Sequence, residues 1–213
     1  MTETQNGLFL VMAGNIGSGK TTLTAKLAND LKLNAHFESV QNNPYLEDFY
    51  QDMSRWSFPL QIFFLNNRFQ THQDIECSFL GGVQDRSIYE DAHIFARALF
   101  EQGDMSDRDY ENYLKLYHSM IKFLRPPSLL IYLKRSVPLL RERIAQRNRT
   151  WEQNIPLDYL ERLNHYYNQW FEEYDLGPKI CLETDRLDFI HNTQDYQGLL
   201  QQIQRNGPPH LTL

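Results

Sequence analysis

One stretch restricts the fold of this chain more than any other: Gly14-Asn15-Ile16-Gly17-Ser18-Gly19-Lys20-Thr21. A glycine, four residues and then Gly-Lys-Thr is the spacing of a P-loop. The glycines let the backbone bend so that successive N–H groups turn inward toward phosphate oxygens. A helix opening at Lys20 adds the positive end of its dipole. Lys20 is placed to reach β- and γ-phosphates, and the Thr21 hydroxyl to ligate Mg²⁺. The flanks supply the context that the motif demands. Residues 8–13 are a short continuous apolar run, as in a strand buried on both faces of a parallel sheet. Residues 20–31 carry Leu23, Leu27 and Leu31 four apart, as in a helix packed along one side. Residues 14–22, through Thr22, are therefore expected to hold a nucleoside triphosphate with Mg²⁺.

The rest of the chain continues the alternation. Strands are expected at 35–40, 82–85, 128–133 and 179–182. Helices are expected at 49–79 with an interruption near Pro59, and at 88–100, 107–124, 137–147, 156–174 and around 197–203. Residues 107–124 form the clearest helix, with Tyr110, Tyr113, Leu114, Tyr117, Met120, Ile121 and Leu124 on one stripe that reads as core. Strands separated by helices imply βαβ units. The fold class is α/β, a doubly wound five-stranded parallel sheet flanked by helices. With 213 residues, no internal repeat and no low-complexity linker, a single domain covers residues 1–213, fraying over 205–213. Cys77 and Cys181 match no metal spacing and read as buried free thiols.

The formal charge of −6 argues against a partner bound through its phosphate backbone and against an anionic membrane surface. No segment has the length of a membrane span or the form of a signal peptide, which leaves the cytoplasm as the expected location. The total hides a partition. Residues 134–149 contain Lys134, Arg135, Arg141, Arg143, Arg147 and Arg149 against one acid, Glu142. That segment is +5 and the remainder −11. Arginines in such a run can neutralise the charge that develops during phosphoryl transfer, and residues 143–154 are expected to form a lid; a solvated charged face is the plainer reading of the same run. Carboxylates stand just past expected strand ends, where open α/β sheets bind ligands. Glu38 follows the second strand, and Asp85 ends the third, followed at once by Arg86. Such groups can take a proton from a hydroxyl or hold Mg²⁺, although Asp85-Arg86-Ser87 could equally open a helix as its cap. The chain lacks the guanine-reading Asn-Lys-x-Asp of GTPases, and these features together favour a small-molecule kinase.

Several pieces then occur in order: the P-loop with Thr22-Leu23, Glu38-Ser39-Val40, Asn43-Pro44-Tyr45-Leu46 to Phe49-Tyr50, residues 55–61 from Arg55-Trp56 to Gln61, Asp85-Arg86-Ser87, and Arg143 to Arg149 with residues 152–157. This order resembles the deoxynucleoside kinase family, the deoxycytidine/deoxyguanosine kinase-like branch, and most of all its bacterial deoxyadenosine/deoxyguanosine kinases. The likeness spans about residues 8–190. It implies a P-loop kinase fold with an Arg-rich lid, ATP as donor, a deoxynucleoside (a purine by likeness) as acceptor, Mg²⁺, and a homodimer paired through long helices. It implies that Glu38 is the general base, that Arg86 orients the 5′-hydroxyl and the base, and that Asp85 with Thr21 holds the metal. Gln61 would bond the nucleobase, Arg68 and Asp91 would read its far end, and Phe95 would pack on it. Tyr50 and Glu152 would hold the 3′-hydroxyl. Lys20, Arg143, Arg147 and Arg149 would serve the phosphates, and residues 184–189, with Asp185, Arg186 and Leu187, would cover the donor adenine. Departures from the pattern are Ser39 where proline is usual, Asn43 where tryptophan is common, Phe64 where the residue is usually small or methionine, and Ala13 before the P-loop. Three other readings share the P-loop: a pyrimidine or broad-specificity deoxynucleoside kinase; a thymidylate-kinase-like nucleotide kinase, disfavoured because Glu38 and Glu152 would repel a phosphorylated acceptor; and a non-catalytic nucleotide-binding regulator.

Overall fold

The computed structural model describes residues 7–38, 43–149, 152, 155–208 and 211. Its sheet contains β1 (Phe9–Ala13), β2 (Asn34–His36), β3 (Gly82–Asp85), β4 (Leu129–Lys134) and β5 (Lys179–Glu183). All pairings are parallel, in the order β2-β3-β1-β4-β5. The helices are α1 (Lys20–Leu31), α2 (Leu46–Gln51), α3 (Met53–Cys77), α4 (Ile88–Glu90), a π-helical segment (Asp91–Ala96), α5 (Arg97–Gln102), α6 (Asp107–Ile121), α7 (Val137–Arg147), α8 (Leu157–Glu173) and α9 (Thr193–Asn206).

The continuous apolar run of β1 has the cause expected of it. Phe9, Val11 and Ala13 face a core shared with Leu65 of α3, Tyr113 and Tyr117 of α6, and Leu163 and Tyr167 of α8. Leu10 and Met12 face the opposite core, with Leu23 and Leu27 of α1 and Leu199 and Ile203 of α9. The alternation of a strand thus sends each set of side chains to a different layer. β4 repeats it, with Leu130 and Tyr132 on the first side and Leu129, Ile131 and Leu133 on the second. Burying both faces of the central strands leaves their carboxyl ends as the open edge of the sheet. There the P-loop follows β1 and Arg86 follows β3.

Five expectations need correction. The second strand stops at His36, two residues before Glu38, and residues 39 and 40 lie outside the described part. The long helical stretch breaks at Asp52 rather than near Pro59. Asp52 caps α3 by accepting from the Arg55 N–H at 3.1 Å. Pro59 sits inside the helix; lacking an N–H, it leaves the carbonyl of Arg55 without its intrahelical donor, and Arg55 is exposed, so water can serve that carbonyl. The helix expected at 88–100 runs to Gln102 but widens to π geometry over Asp91–Ala96. The tail is partly tied down: Arg205 and Asn206 complete α9, and Leu211 is buried against the second core. Cys77 is exposed and Cys181 half-buried, so neither is a core thiol.

Candidate active site

A cavity of about 610 Å³ opens at the carboxyl ends of β1 and β3. At one end it is lined by Ile16, Gly17, Lys20 and Thr21, and at the other by Gln61, Arg68, Asp91 and Phe95. Glu38, Tyr50, Asp85, Arg86, Arg147, Arg149 and Glu152 line it in between.

The phosphate end is built by close approach. Gly17 has φ +84°, and a Cβ there would lie 2.8 Å from the Leu140 carbonyl oxygen of α7. Asn15 is buried and donates to the Leu160 carbonyl of α8 at 3.0 Å, while its own Oδ1 accepts from the Ile16 N–H at 2.8 Å. The loop is therefore fixed from both flanking helices. Gly14 and Ser18 are buried, Gly19 and Thr22 half-buried, and the Ser18 hydroxyl has no partner. Lys20 turns back on its own loop, donating to the carbonyls of Gly14 at 2.7 Å and Asn15 at 2.9 Å. Burial pushes its ammonium down to about 8; Arg86 adds to this, and Asp85, Glu90 and Glu38 oppose it. The Thr21 hydroxyl donates to Asp85 Oδ2 at 2.6 Å, and Asp85 Oδ1 is buried without a partner. A hydroxyl beside a carboxylate with a free oxygen is an oxygen donor set that suits Mg²⁺.

The other end is a buried network of opposite charges. Glu38 accepts from Arg68, through a very short contact, and from Arg86 at 3.4 Å. Arg68 also donates to Asp91 Oδ2 at 2.8 Å. Burial alone would raise the Glu38 carboxyl, but Arg86, Arg68 and Lys20 outweigh it and hold it below its ordinary value. Burial pushes Asp91 up to about 7 against the pull of Arg68 and Arg86. Arg86 is held rigidly: its N–H donates to the Met12 carbonyl at 3.0 Å, its backbone has φ +69°, and its guanidinium lies 4.3 Å from the Phe95 ring centroid. Phe64 covers Arg68 in the same way, at 4.8 Å. The π-helical segment places Asp91 and Phe95, its first and fifth residues, on one wall; such segments are frequent at functional sites. Gln61 is buried on α3 and its Oε1 has no partner.

The Arg-rich segment divides. Arg147 donates from Nε to Glu152 at 2.8 Å, and Arg149 contacts the other Glu152 oxygen at 3.4 Å. Both arginines line the cavity. Arg143 does not; it faces Asp188 at 3.9 Å. Of the expected lid, residues 150, 151, 153 and 154 lie outside the described part. Asp185 and Arg186 are exposed beyond β5 and Leu187 is half-buried. None of the three lines the cavity among the described residues.

Two participants were missed in the sequence. Glu90 is fully buried: one oxygen accepts from the Ser87 N–H at 2.8 Å, and the other from the Tyr167 hydroxyl at 2.8 Å and the Gly14 N–H at 3.4 Å. It ties the Asp85-Arg86-Ser87 turn to the P-loop and to α8. The Ser-x-x-Glu spacing of a capping box was its visible signal, so Ser87 does open a helix while Asp85 and Arg86 face the cavity. Arg135, inside the basic run, is buried against the turn that follows β5.

Comparison with known proteins agrees with this geometry. Residues 10–206 match the family model described as deoxynucleoside kinase. A deoxyadenosine kinase of Dictyostelium discoideum is 44% identical over 167 residues, covering 78% of this chain and 68% of that protein. A deoxyadenosine/deoxycytidine kinase of Bacillus subtilis (strain 168) is 38% identical over 196 residues, covering 91% of this chain and 90% of that protein. The solved structure of deoxyadenosine kinase from M. mycoides with bound dCTP superposes with a TM-score of 0.78 at 25% identity, over 93% of this chain and 100% of that one.

Proposed function

The chain belongs to the deoxynucleoside kinase family, and from that premise we propose that it transfers the γ-phosphoryl group of ATP to the 5′-hydroxyl of a purine deoxynucleoside. The observation that carries this reading is the continuous cavity that joins the P-loop to the Glu38–Arg68–Arg86–Asp91 network. One end suits a triphosphate, and the other offers a proton acceptor and hydrogen-bonding groups with their charges already matched, as a neutral nucleoside requires.

In the proposed reaction Glu38 accepts the 5′-hydroxyl proton as O5′ bonds to the γ-phosphorus and the bridging β–γ oxygen leaves with ADP. Arg86 holds both Glu38 and the attacking oxygen in place. Lys20 exchanges its loop carbonyls for phosphate oxygens, and Arg147 and Arg149 offset charge on the transferred group. Thr21 and Asp85 would hold Mg²⁺, which supplies charge neutralisation along the β- and γ-phosphates. Tyr50 and Glu152 face the sugar. The amide of Gln61 presents a donor and an acceptor side by side, which matches the paired edge of adenine; the matches to deoxyadenosine kinases support the same base. Arg143 stands outside the cavity and would have to leave Asp188 to reach a phosphate.

A homodimer belongs to the same proposal. α6 buries Tyr113 and Tyr117 in the protomer's own core yet leaves Leu116 exposed, with Phe123 exposed just past its end, and light scattering would measure the assembly. Among the described residues no helix is long and apolar enough to cross a membrane, and we place the chain in the cytoplasm. The deciding experiment is an acceptor panel with ATP and Mg²⁺: four deoxynucleosides, two ribonucleosides and the corresponding deoxynucleoside monophosphates. Phosphorylation of deoxyadenosine or deoxyguanosine above the others is expected. Preference for a monophosphate, or ATP binding with no product from any acceptor, would overturn the proposal.

A further inference from the structure

Arg135 directly follows β4 and is 5% exposed. Among the described residues it forms no ion pair. A buried guanidinium is costly unless its N–H groups are bonded, and here the bonds go to one place. Nη2 donates to the carbonyls of Thr184 at 2.6 Å and Leu187 at 3.3 Å. The Leu187 N–H donates to the same Thr184 carbonyl at 3.3 Å. Arg135 thus straps shut a four-residue turn that leaves β5. The next residue helps, since the Ser136 N–H donates to Asp185 Oδ1 at 2.8 Å. The tip of the turn, Asp185 and Arg186, is exposed.

The turn also borders the phosphate cradle. Phe189, two residues beyond it, is buried so close to the P-loop that a Cβ on Gly19 would lie 2.7 Å from its ring. Lys26 of α1 fixes the same segment by donating to the carbonyls of Phe189 at 2.7 Å and Ile190 at 3.1 Å. A strapped turn beside the loop that holds the phosphates is a preformed wall for the rest of the donor. Pre-organisation of this kind raises affinity by removing the cost of ordering the wall on binding.

We infer that Arg135 is a positioning residue of the donor site, which fixes the 184–187 turn against the adenine of ATP and so makes the site prefer a base-bearing triphosphate. The inference rests on reading residues 184–189 as the loop that covers the donor base. Its test compares Mg²⁺–ATP with Mg²⁺–tripolyphosphate, which engages the P-loop but has no base, by titration calorimetry on the whole chain.

The unmodified chain should bind ATP more tightly than tripolyphosphate. Arg135→Met should weaken ATP about tenfold, the scale for losing hydrogen bonds from a charged group, and leave tripolyphosphate within about twofold. Arg135→Lys keeps the charge but not the rigid planar placement of the donor nitrogen and should fall between; it carries the same comparison if the methionine variant does not fold. The KM for the deoxynucleoside should stay unchanged. An unaltered ATP-to-tripolyphosphate ratio in both variants overturns the inference alone, as does an equal loss for both ligands, which would mark Arg135 as a general support of the fold. Equal binding of the two ligands by the unmodified chain overturns the base-loop reading and the inference with it.

Discussion

Replacing Glu38 by glutamine keeps the shape of the side chain and removes its charge and its ability to take a proton. Two consequences can be sized separately. The catalytic one follows from the loss of a general base, which is worth roughly 10²–10⁴ in rate; even the lower figure is about 2.7 kcal/mol of transition-state stabilisation. The structural one follows from the network. Glu38 bonds Arg68 and Arg86; the glutamine oxygen can still accept from both, Arg68 keeps Asp91 at 2.8 Å, and Arg86 keeps its stack on Phe95. The variant therefore weakens a network that retains other partners, at a cost of about 1–3 kcal/mol rather than that of a stranded buried charge.

The pH behaviour separates the two further. Burial raises the Glu38 carboxyl, but the nearby cations outweigh it and hold it below its ordinary 4.5. A group whose folded value is depressed lends stability that is present above its unfolded value and is lost as pH falls through the folded one. Glu38 should therefore stay ionised throughout pH 6–8 and contribute no limb to the rate profile there, while the chain loses stability below pH 4.5 in part through its protonation. Steady-state assays at saturating ATP should show kcat for Glu38→Gln reduced at least about 100-fold. Calorimetry should show an unchanged affinity for ATP, because the P-loop contacts lie elsewhere. A kcat within tenfold of the unmodified chain refutes Glu38 as the base. A parallel loss of ATP affinity refutes the division of the cavity into donor and acceptor ends.

The other predictions concern the cradle. Gly17→Ala places a methyl 2.8 Å from the Leu140 carbonyl at φ +84°; ATP binding should fall below detection and stability by about 1–3 kcal/mol, read by calorimetry and thermal melting. Lys20 should titrate near 8 in the ligand-free chain. Because its folded value is lowered, the unfolded chain binds more protons from about pH 8 to its ordinary 10.5, so this group favours the folded state increasingly as pH rises through that window. Rates of amine labelling at Lys20 against pH check it, with ATP protecting, and a midpoint above 10 refutes the burial argument. Glu90→Met strands the buried N–H groups of Ser87 and Gly14 and should cost about 3 kcal/mol, a drop in Tm of roughly 6–12 °C; Glu90→Gln keeps one acceptor and should lose less.

What was legible follows from which physical signals are local. α1, β3 and α7 begin and end where the sequence placed them, because a P-loop, a Gly-Gly pair followed three residues later by an acid, and a Ser-Val-Pro start are local signals. β2 was read too long because Ala35 to Val40 is weakly patterned and an edge strand needs only one row of partners. The helix break was assigned to Pro59 on propensity, whereas the Asp52 cap gives the chain a better place to turn. The widening at Asp91–Ala96 has no compositional mark; it arises from packing and is what sets Asp91 and Phe95 on one wall. Glu38, Arg68, Arg86 and Asp91 come from four different segments, so that motif order could suggest them while only the fold brings them into contact. Arg143 and Arg147 share a helix face by spacing, yet the structure sends one to Asp188, past β5, and the other to Glu152, five residues on.

The same partners bear on why the acceptor should be a nucleoside and not a nucleotide. At the acceptor end Arg68 and Arg86 are already matched by Glu38 and Asp91, and the two cavity-lining lid arginines rest on Glu152. A monophosphate there would bring up to two negative charges near Glu38 and Glu152 with no unmatched cation among the described residues to meet them. At about 5 Å and an effective dielectric of about 20, each like-charge pair costs roughly 3 kcal/mol, whereas a neutral deoxynucleoside incurs none of it. The triphosphate meets the opposite situation, because Lys20 and the lid arginines hold only carbonyls or Glu152 and can exchange these for phosphate oxygens. On the proposed roles, that exchange would release both Glu152 oxygens to the sugar's hydroxyl. On these roles, donor binding prepares the acceptor site, and by reciprocity the acceptor, by drawing Glu152 away, leaves Arg147 and Arg149 free for the donor.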